Sequence, residues 1–142
     1  MPTLRDARLP DAPAAAGLLA ELGYSADAGA VARRLQALLP RADYAVHVAV
    51  LDGEVCGLGC AHVFPVLHAE EPLALITALV VSERARGLGV GRALVLRLED
   101  FARSQGCGRV AVTTANQRSD AHRFYERLGY SFTGRRYAKQ PL

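Results

Sequence analysis

The sequence has no tryptophan, and aromatic residues make up only 6% of it. A chain so poor in flat side chains has little with which to stack nucleobases. Blocks of Lys or Arg are missing too: 17 basic residues lie scattered against 14 acidic ones, a formal charge of +3. These two absences argue against nucleic acid as a partner. Cysteine is scarce. Cys56, Cys60 and Cys107 cannot all pair with one another and form no C-x-x-C, so reduced thiols in a cytoplasmic protein are expected. No long hydrophobic run occurs. The longest apolar stretch, LALITALVV at 73–81, is too short to span a bilayer, and the opening MPTLRDARLP lacks the apolar core of a signal peptide. No membrane partner is expected. Repeats, low-complexity tracts and linkers are also absent, so residues 1–142 read as one domain, and 51% hydrophobic residues suffice for its core.

Local pattern then divides the chain into elements. Residues 3–8 read as a short strand. Pro10 and Asp11 open a helix running to Leu22 and stopped by Gly23. Ser25 or Asp27 caps a second helix, with Val31, Leu35 and Leu38/Leu39 on one face, ended by Pro40. YAVHVAVL (44–51) alternates, Asp52-Gly53 signals a tight turn, and EVCGLGCAHVF (54–64) returns. The glycines of that return strand predict close approach on one face. LALITALVV is apolar throughout, as in a central strand buried on both faces. Val90, Leu94, Leu98 and Phe101 recur at helical spacing, and Gly106 ends that helix. RVAVTT (109–114) is a further strand. Ala121, Phe124, Tyr125 and Leu128 mark a last helix with Gly129 as its cap, and 130–139 read as a closing strand. The fold class is α/β (α+β), a mixed sheet flanked by helices in the order β-α-α-β-β-β-α-β-α-β.

RARGLGVGRALV (84–95) places Gly87, Gly89 and Gly91 at alternate positions just before a helix, bracketed by Arg84, Arg86 and Arg92. A helix N-terminus exposes unpaired N–H groups and the positive end of a dipole. Without side chains before it, an anion can rest on bare amides, which makes this a phosphate cradle with Arg86 and Arg92 at its rim. The plainer reading is a tight strand–helix turn without a ligand. A P-loop is excluded because G-x-x-x-x-G-K-[ST] is absent. A dinucleotide fingerprint fails because the spacing is G-x-G-x-G and residues 82–86 intervene after the strand.

Arg86-Gly87-Leu88-Gly89-Val90-Gly91 resembles the R/Q-x-x-G-x-G/A signature of the GCN5-related N-acetyltransferase (GNAT) superfamily. NQRSDAHRFYERLGY (116–130) is similar to that family's Asn-then-Ala-x-x-Phe-Tyr-x-x-x-Gly-Phe/Tyr segment. Within the superfamily, LDGEVCG, LVVSERARGLGVG, DAHRFY and RRYAK resemble segments of the aminoalkylphosphonate N-acetyltransferases. The resemblance implies a mostly antiparallel central sheet, acetyl-CoA as cosubstrate, a small-molecule amine as acceptor and a homodimer. It further implies that the main chain of Leu79, Val80 and Val81 meets the pantetheine arm. The amides of Gly87, Leu88, Gly89, Val90, Gly91 and Arg92, with Arg86, would hold the pyrophosphate. Asn116 would approach the pantetheine or the acceptor, and Tyr125 would face the thioester sulfur.

Attack of an amine on a thioester needs a neutral amine, a polarised carbonyl and a protonated leaving thiolate. Tyr125 suits the last of these. A phenol with a pKa of about 10 stays protonated at neutral pH and donates to a thiolate whose conjugate acid has a pKa of about 8.5. Its plain alternative is a core aromatic beside Phe124 and Leu128. The backbone N–H of Leu79 is the candidate to polarise the carbonyl. The base is less evident. Residues 73–81 carry no carboxylate, with Thr77 as their polar side chain, and the paired glutamates of the aminoalkylphosphonate enzymes appear here as Leu75 and Ala78. His62, His68, Glu70 and Glu71 are the candidates, ahead of His47 and His122, and a water chain through Thr77 is the alternative. Cys56, Cys60 and His62 share strand parity, but side chains along one strand converge poorly on a tetrahedral centre, so no metal is expected. Arg135, Arg136 and Lys139 could meet an anionic acceptor or simply be solvated. The rival to an enzyme is a non-catalytic acyl-CoA-binding or sensing module.

Overall fold

The computed structural model describes residues 2–25, 27–114 and 119–142. They form two compact units, Met1–Ala111 and Val112–Leu142. In the first, strands β1 (Thr3–Asp6), β2 (Tyr44–Leu51), β3 (Glu54–Phe64), β4 (Leu73–Val81) and β5 (Arg109–Val112) lie in the order β1-β2-β3-β4-β5. The pairs from β1 to β4 are antiparallel. Gly108, just before β5, donates its N–H to Pro72 O, just before β4, at 3.2 Å. The two strands therefore start side by side and run in the same direction, which makes the sheet mixed as the sequence implies.

Helices α1 (Ala12–Glu21) and α2 (Ala28–Leu38) cover one face. Ala15 and Leu18 of α1 and Val31 and Leu35 of α2 bury against Val46, Val48, Leu58, Cys60 and Val80 of the sheet. Asp11 precedes α1. Its carboxylate accepts both Arg5 guanidinium nitrogens at 2.8 Å and the Arg8 N–H at 2.8 Å, and the Arg5 hydrogen bonds hold its pKa below the usual carboxylate value. Asp27, not Ser25, caps α2, accepting the Ala30 N–H at 2.7 Å. Asp52 and Gly53 both take positive φ, 51° and 79°, as the two-residue hairpin between β2 and β3 demands.

Helix α3 (Val90–Ser104) covers the other face. Val90 and Leu94 meet Ala49 and Cys56, while Ala102 meets Val63 and Ala74. The close approach expected at the β3 glycines is made by this helix. A Cβ on Gly57 would lie 2.9 Å from Val90 Cγ1 and 3.1 Å from Leu94 Cδ1, and one on Gly59 would lie 3.3 Å from Leu98 Cδ1.

In the second unit, α4 (Ser119–Arg127) closes at Gly129, φ 94°. Gly129 N–H donates to Glu126 O and Tyr130 N–H to Tyr125 O, both at 3.0 Å, the paired bonds of a Schellman closure. The closing strand expected over 130–139 is not present. Residues 131–142 are exposed and contain no strand, Phe132 and Tyr137 included. Their residue types favour extended backbone, but a strand exists only where a ladder partner takes up its N–H and C=O groups.

Gly57 and Gly17 sit in opposite surroundings, and their substitutions should differ in sign. Gly57→Ala should lower stability by about 1–3 kcal/mol, because its methyl overpacks against two branched side chains. Gly17→Ala, in mid-α1 with nothing within 4 Å of the new Cβ, should raise stability by up to about 1 kcal/mol; urea unfolding measures both. His47, on the same sheet face as Ala49, is buried with its Nδ1 3.1 Å from Asp6 Oδ1, a contact whose geometry falls short of a hydrogen bond. Desolvation holds its pKa below the ordinary 6.5, against the pull of Asp6. The unfolded chain therefore takes the proton first. The contribution of neutral His47 is complete above 6.5 and is lost as pH falls through the lower folded value. His47→Gln should flatten that acid-side loss in unfolding curves collected across this range.

Candidate functional site

The cradle is built from the end of β4 onward. Ser82 N–H donates to Cys56 O at 2.8 Å, and residues Glu83–Ala85 make a 3-10 turn. Ala85 is fully buried among Ala49, Cys56, Val90 and Leu94, which pins the turn into the core. Arg84 leans back onto β3, pairing with Glu54 at 2.9 Å and donating to Val55 O at 3.2 Å. Arg86 and Arg92 are exposed.

Gly87 and Gly89 then take φ of 81° and 79°, the left-handed region that side chains avoid, and a Cβ on either would meet nothing within 4 Å. Gly89 is the N-cap of α3 and offers no side chain to it. The first helical bond runs from Ala93 N–H to Gly89 O at 3.0 Å. The amides of Val90, Gly91 and Arg92 accordingly start the helix without an intrahelical acceptor. Open space in front of bare amides at the positive end of a helix dipole fits a phosphate group. Gly91 differs from its neighbours: it belongs to the first turn of α3.

Strand β4 carries two irregularities. Cys60 pairs with Ala78 and Ala61 with Ile76, so Thr77 is an extra, bulged residue. It is exposed, and its hydroxyl donates to Cys60 O at 3.4 Å. The second irregularity lies on the β5 side. Beginning beside residue 72, β5 has 4 residues against 9 in β4. At about 3.3 Å per residue, it ends before reaching Leu79, Val80 and Val81. The main chain of those residues has no strand neighbour on that edge among the described residues.

The cysteines and histidines separate. An irregularity at Ala49/Val50 leaves Cys56 as an extra residue of β3, which reverses its parity relative to Cys60. Cys56 packs with α3 and Cys60 with α1 and α2, on opposite faces. Burial pushes both thiols up. Among the described residues no group of His, Cys, Asp or Glu could hold a metal ion. His47 lies under α3, and His68, Glu70 and Glu71 are exposed in the loop between β3 and β4.

His62 is the candidate with a built environment. Its ring stacks on Tyr44 at 4.3 Å and 13° and on Phe64 at 5.2 Å, and its Nε2 lies 3.3 Å from Asp43 Oδ2. Arg41 grips the same carboxylate at 2.9 and 2.7 Å and lies 5.1 Å over the Tyr44 ring. Its hydrogen bonds hold the Asp43 pKa at about 2. The sequence alone does not single out Arg41, Asp43 and Tyr44. Counted back from Asp52-Gly53, unbroken alternation would set Tyr44 opposite Ala61; the extra residue Cys56 shifts the register by one and brings Tyr44 opposite His62.

Tyr125 lies in the second unit, on α4. Its ring meets Phe124 at 5.0 Å and Tyr130 at 5.6 Å, both edge-on. Asn116 lies outside the described residues. Arg135, Arg136 and Lys139 are exposed.

Residues 11–130 match the acetyltransferase (GNAT) family. The chain is 35% identical over 119 residues, 84% of its length, to the aminoalkylphosphonate N-acetyltransferase of Salmonella typhimurium, 75% of which is covered. Among solved structures, a transcriptional regulator from Bacillus halodurans superposes with a TM-score of 0.90 at 25% identity, covering 99% of each chain. The aminoglycoside N-acetyltransferase AAC(6')-Iy in complex with CoA superposes with a TM-score of 0.85 at 20% identity, covering 99% of this chain and 96% of that one. At that identity, the likeness concerns the fold.

The left-handed turn gives a direct expectation: Gly89→Ala should cost about 1–2 kcal/mol by forcing a side chain into positive φ, read as a lower urea midpoint with an unchanged slope.

Proposed function

The chain belongs to the acetyltransferase (GNAT) family, and from that premise we propose that it transfers the acetyl group of acetyl-CoA to the primary amine of a small molecule, by direct attack, in one domain. The matched span, 11–130, crosses both compact units, which supports the single-domain reading. The observation that carries the proposal is the pairing of an uncapped α3 N-terminus with an uncovered length of β4. Diphosphate would rest on the amides of Gly87, Leu88, Gly89, Val90, Gly91 and Arg92, with Arg86 at the rim. An extended arm with amide groups would pair with the main chain of Leu79, Val80 and Val81 as a strand does. Asn116 is a further proposed contact to that arm.

When bound, acetyl-CoA supplies an activated acyl carbon and a thiolate leaving group. This chain's residues do the rest. The Leu79 N–H donates to the thioester oxygen as negative charge develops there. The Tyr125 O–H gives its proton to the departing sulfur, and solvent restores the phenol. His62 accepts the proton that the attacking ammonium must lose, since an amine attacks only through its lone pair. Of the relatives, the aminoalkylphosphonate N-acetyltransferase supports a small acceptor carrying an anionic group.

The carboxylate-free β4 favours one second reading, an acyl-CoA-binding module without turnover. The two separate on the same measurements. Calorimetry should show acetyl-CoA binding, and free-thiol release across an amine panel should show turnover. Tyr125→Phe should retain coenzyme affinity and lose about 10²–10⁴-fold in kcat. Binding without thiol release for any amine establishes the module; absence of binding ends both readings.

A further inference from the structure

We infer that Asp43 is a positioning residue for His62, and that this pair, carried by the β2–β3 hairpin, does the proton-accepting work for which β4 has no side chain. The inference rests on the acetyltransferase reading above.

The placement comes first. His62 pairs directly with Leu75 of β4, and Cys60, two residues earlier on β3, with Ala78, so Thr77 bulges out between those pairs. Directly opposed residues on neighbouring strands share a sheet face, with Cβ atoms about 4.5–5.5 Å apart. His62 therefore flanks the bulge on the face where Cys60, Ala78 and Val80 lie. The other side chains bordering the bulge do not serve. Leu75, Ile76 and Ala78 are apolar, the Cys60 thiol is pushed up by burial, and Thr77 holds no charge. His47, the other imidazole of these strands, is buried on the opposite face beneath α3.

The geometry of the ring comes second. A neutral imidazole has one N–H and one lone pair, and the partner of one nitrogen decides which is which. Asp43, ionised because Arg41 grips it, accepts a proton-bearing Nε2 at 3.3 Å. The lone pair then resides on Nδ1. Tyr44 and Phe64 fix the plane of the ring, and Arg41, above Tyr44 and on both Asp43 oxygens, fixes its surroundings. A side chain with a quarter of its surface exposed, 25%, is thus held in one orientation and one tautomer. Such over-determination is what a proton acceptor needs and what a solvated surface histidine lacks. The step balances simply. The acceptor ammonium loses one proton to Nδ1 through solvent water beside the exposed Thr77, and the freed lone pair forms the C–N bond. As the C–S bond breaks, the nitrogen sheds its second proton to solvent while the sulfur takes one up, and the imidazolium, held by the Asp43 carboxylate, returns the first proton to solvent.

The test uses the full chain and two readouts. By ¹⁵N NMR of the imidazole, His62 should be the Nε2–H tautomer in the unaltered protein and a mixture in Asp43→Asn. With an amine that the protein acetylates, Asp43→Asn should lower kcat about tenfold with KM for acetyl-CoA unchanged. His62→Gln should lower it by about 10²-fold, and Asp43→Glu should restore part of the loss. Calorimetry with CoA verifies that each variant is folded. An unaltered protein that turns over amines while Asp43→Asn keeps both its tautomer and its kcat overturns this inference alone. A kcat loss matched by weaker CoA binding, with the tautomer unmoved, also overturns it and marks the cluster as structural. No turnover of any amine by the unaltered protein removes the acetyltransferase reading and this inference with it.

Discussion

The contact on which the rest depends is the seating of α3 on β3 at Gly57 and Gly59. Two missing side chains let Val90, Leu94 and Leu98 descend onto the backbone of the sheet. That descent fixes the height of the helix and, with it, where its first turn lies relative to the end of β4. Ala85, buried to the same depth between Ala49 and Leu94, ties the intervening turn to the same layer. The glycines of β3 and those of the 87–91 run thus do opposite kinds of work. The first pair gives up volume so that a helix can approach. Gly87 and Gly89 give up Cβ atoms where nothing among the described residues comes within 4 Å, and leave amides exposed.

A second consequence concerns the edge of β4. A parallel crossover through α3 brings β5 back beside the start of β4, and the short β5 ends early. An ordinary sheet would hide or pair those main-chain groups. Among the described residues the uncovered length leads toward the uncapped helix end, so one extended ligand with an anionic terminus would satisfy both sets of main-chain groups. Neither feature alone points to a ligand with that strength: helix N-termini occur at every helix, and short edge strands are common.

The sequence was most legible where one physical period or one turn chemistry governs. The β2–β3 hairpin, β4 and α3 fall where alternation, Asp52-Gly53 and the Val90, Leu94, Leu98 spacing put them. It was least legible where structure depends on a partner. Residues 130–139 have strand-forming side chains and no strand. The bulge at Thr77 has no local signature, because it is a property of the β3–β4 pairing and both strands are regular in sequence. The extra residue at Cys56 is hidden in the same way, and it reverses the face on which a parity argument places that thiol.

A strand without a carboxylate is not evidence for a protein without a base. Amide formation requires that a proton leave the amine, and a sheet offers more than one strand from which to accept it. What differs between strands is the surrounding support. On β4 a carboxylate in place of Thr77 would stand among the apolar Leu75, Ile76 and Ala78. On β3, His62 is flanked by two rings and a carboxylate already clamped by Arg41, so an arriving positive charge finds its counter-charge in place without any rearrangement. Preorganisation of that kind lowers the reorganisation needed at the moment of proton transfer. On the inference drawn above, the Asp43–Arg41 ion pair, worth little to stability in itself, would act through the imidazole by fixing which nitrogen of that ring is free.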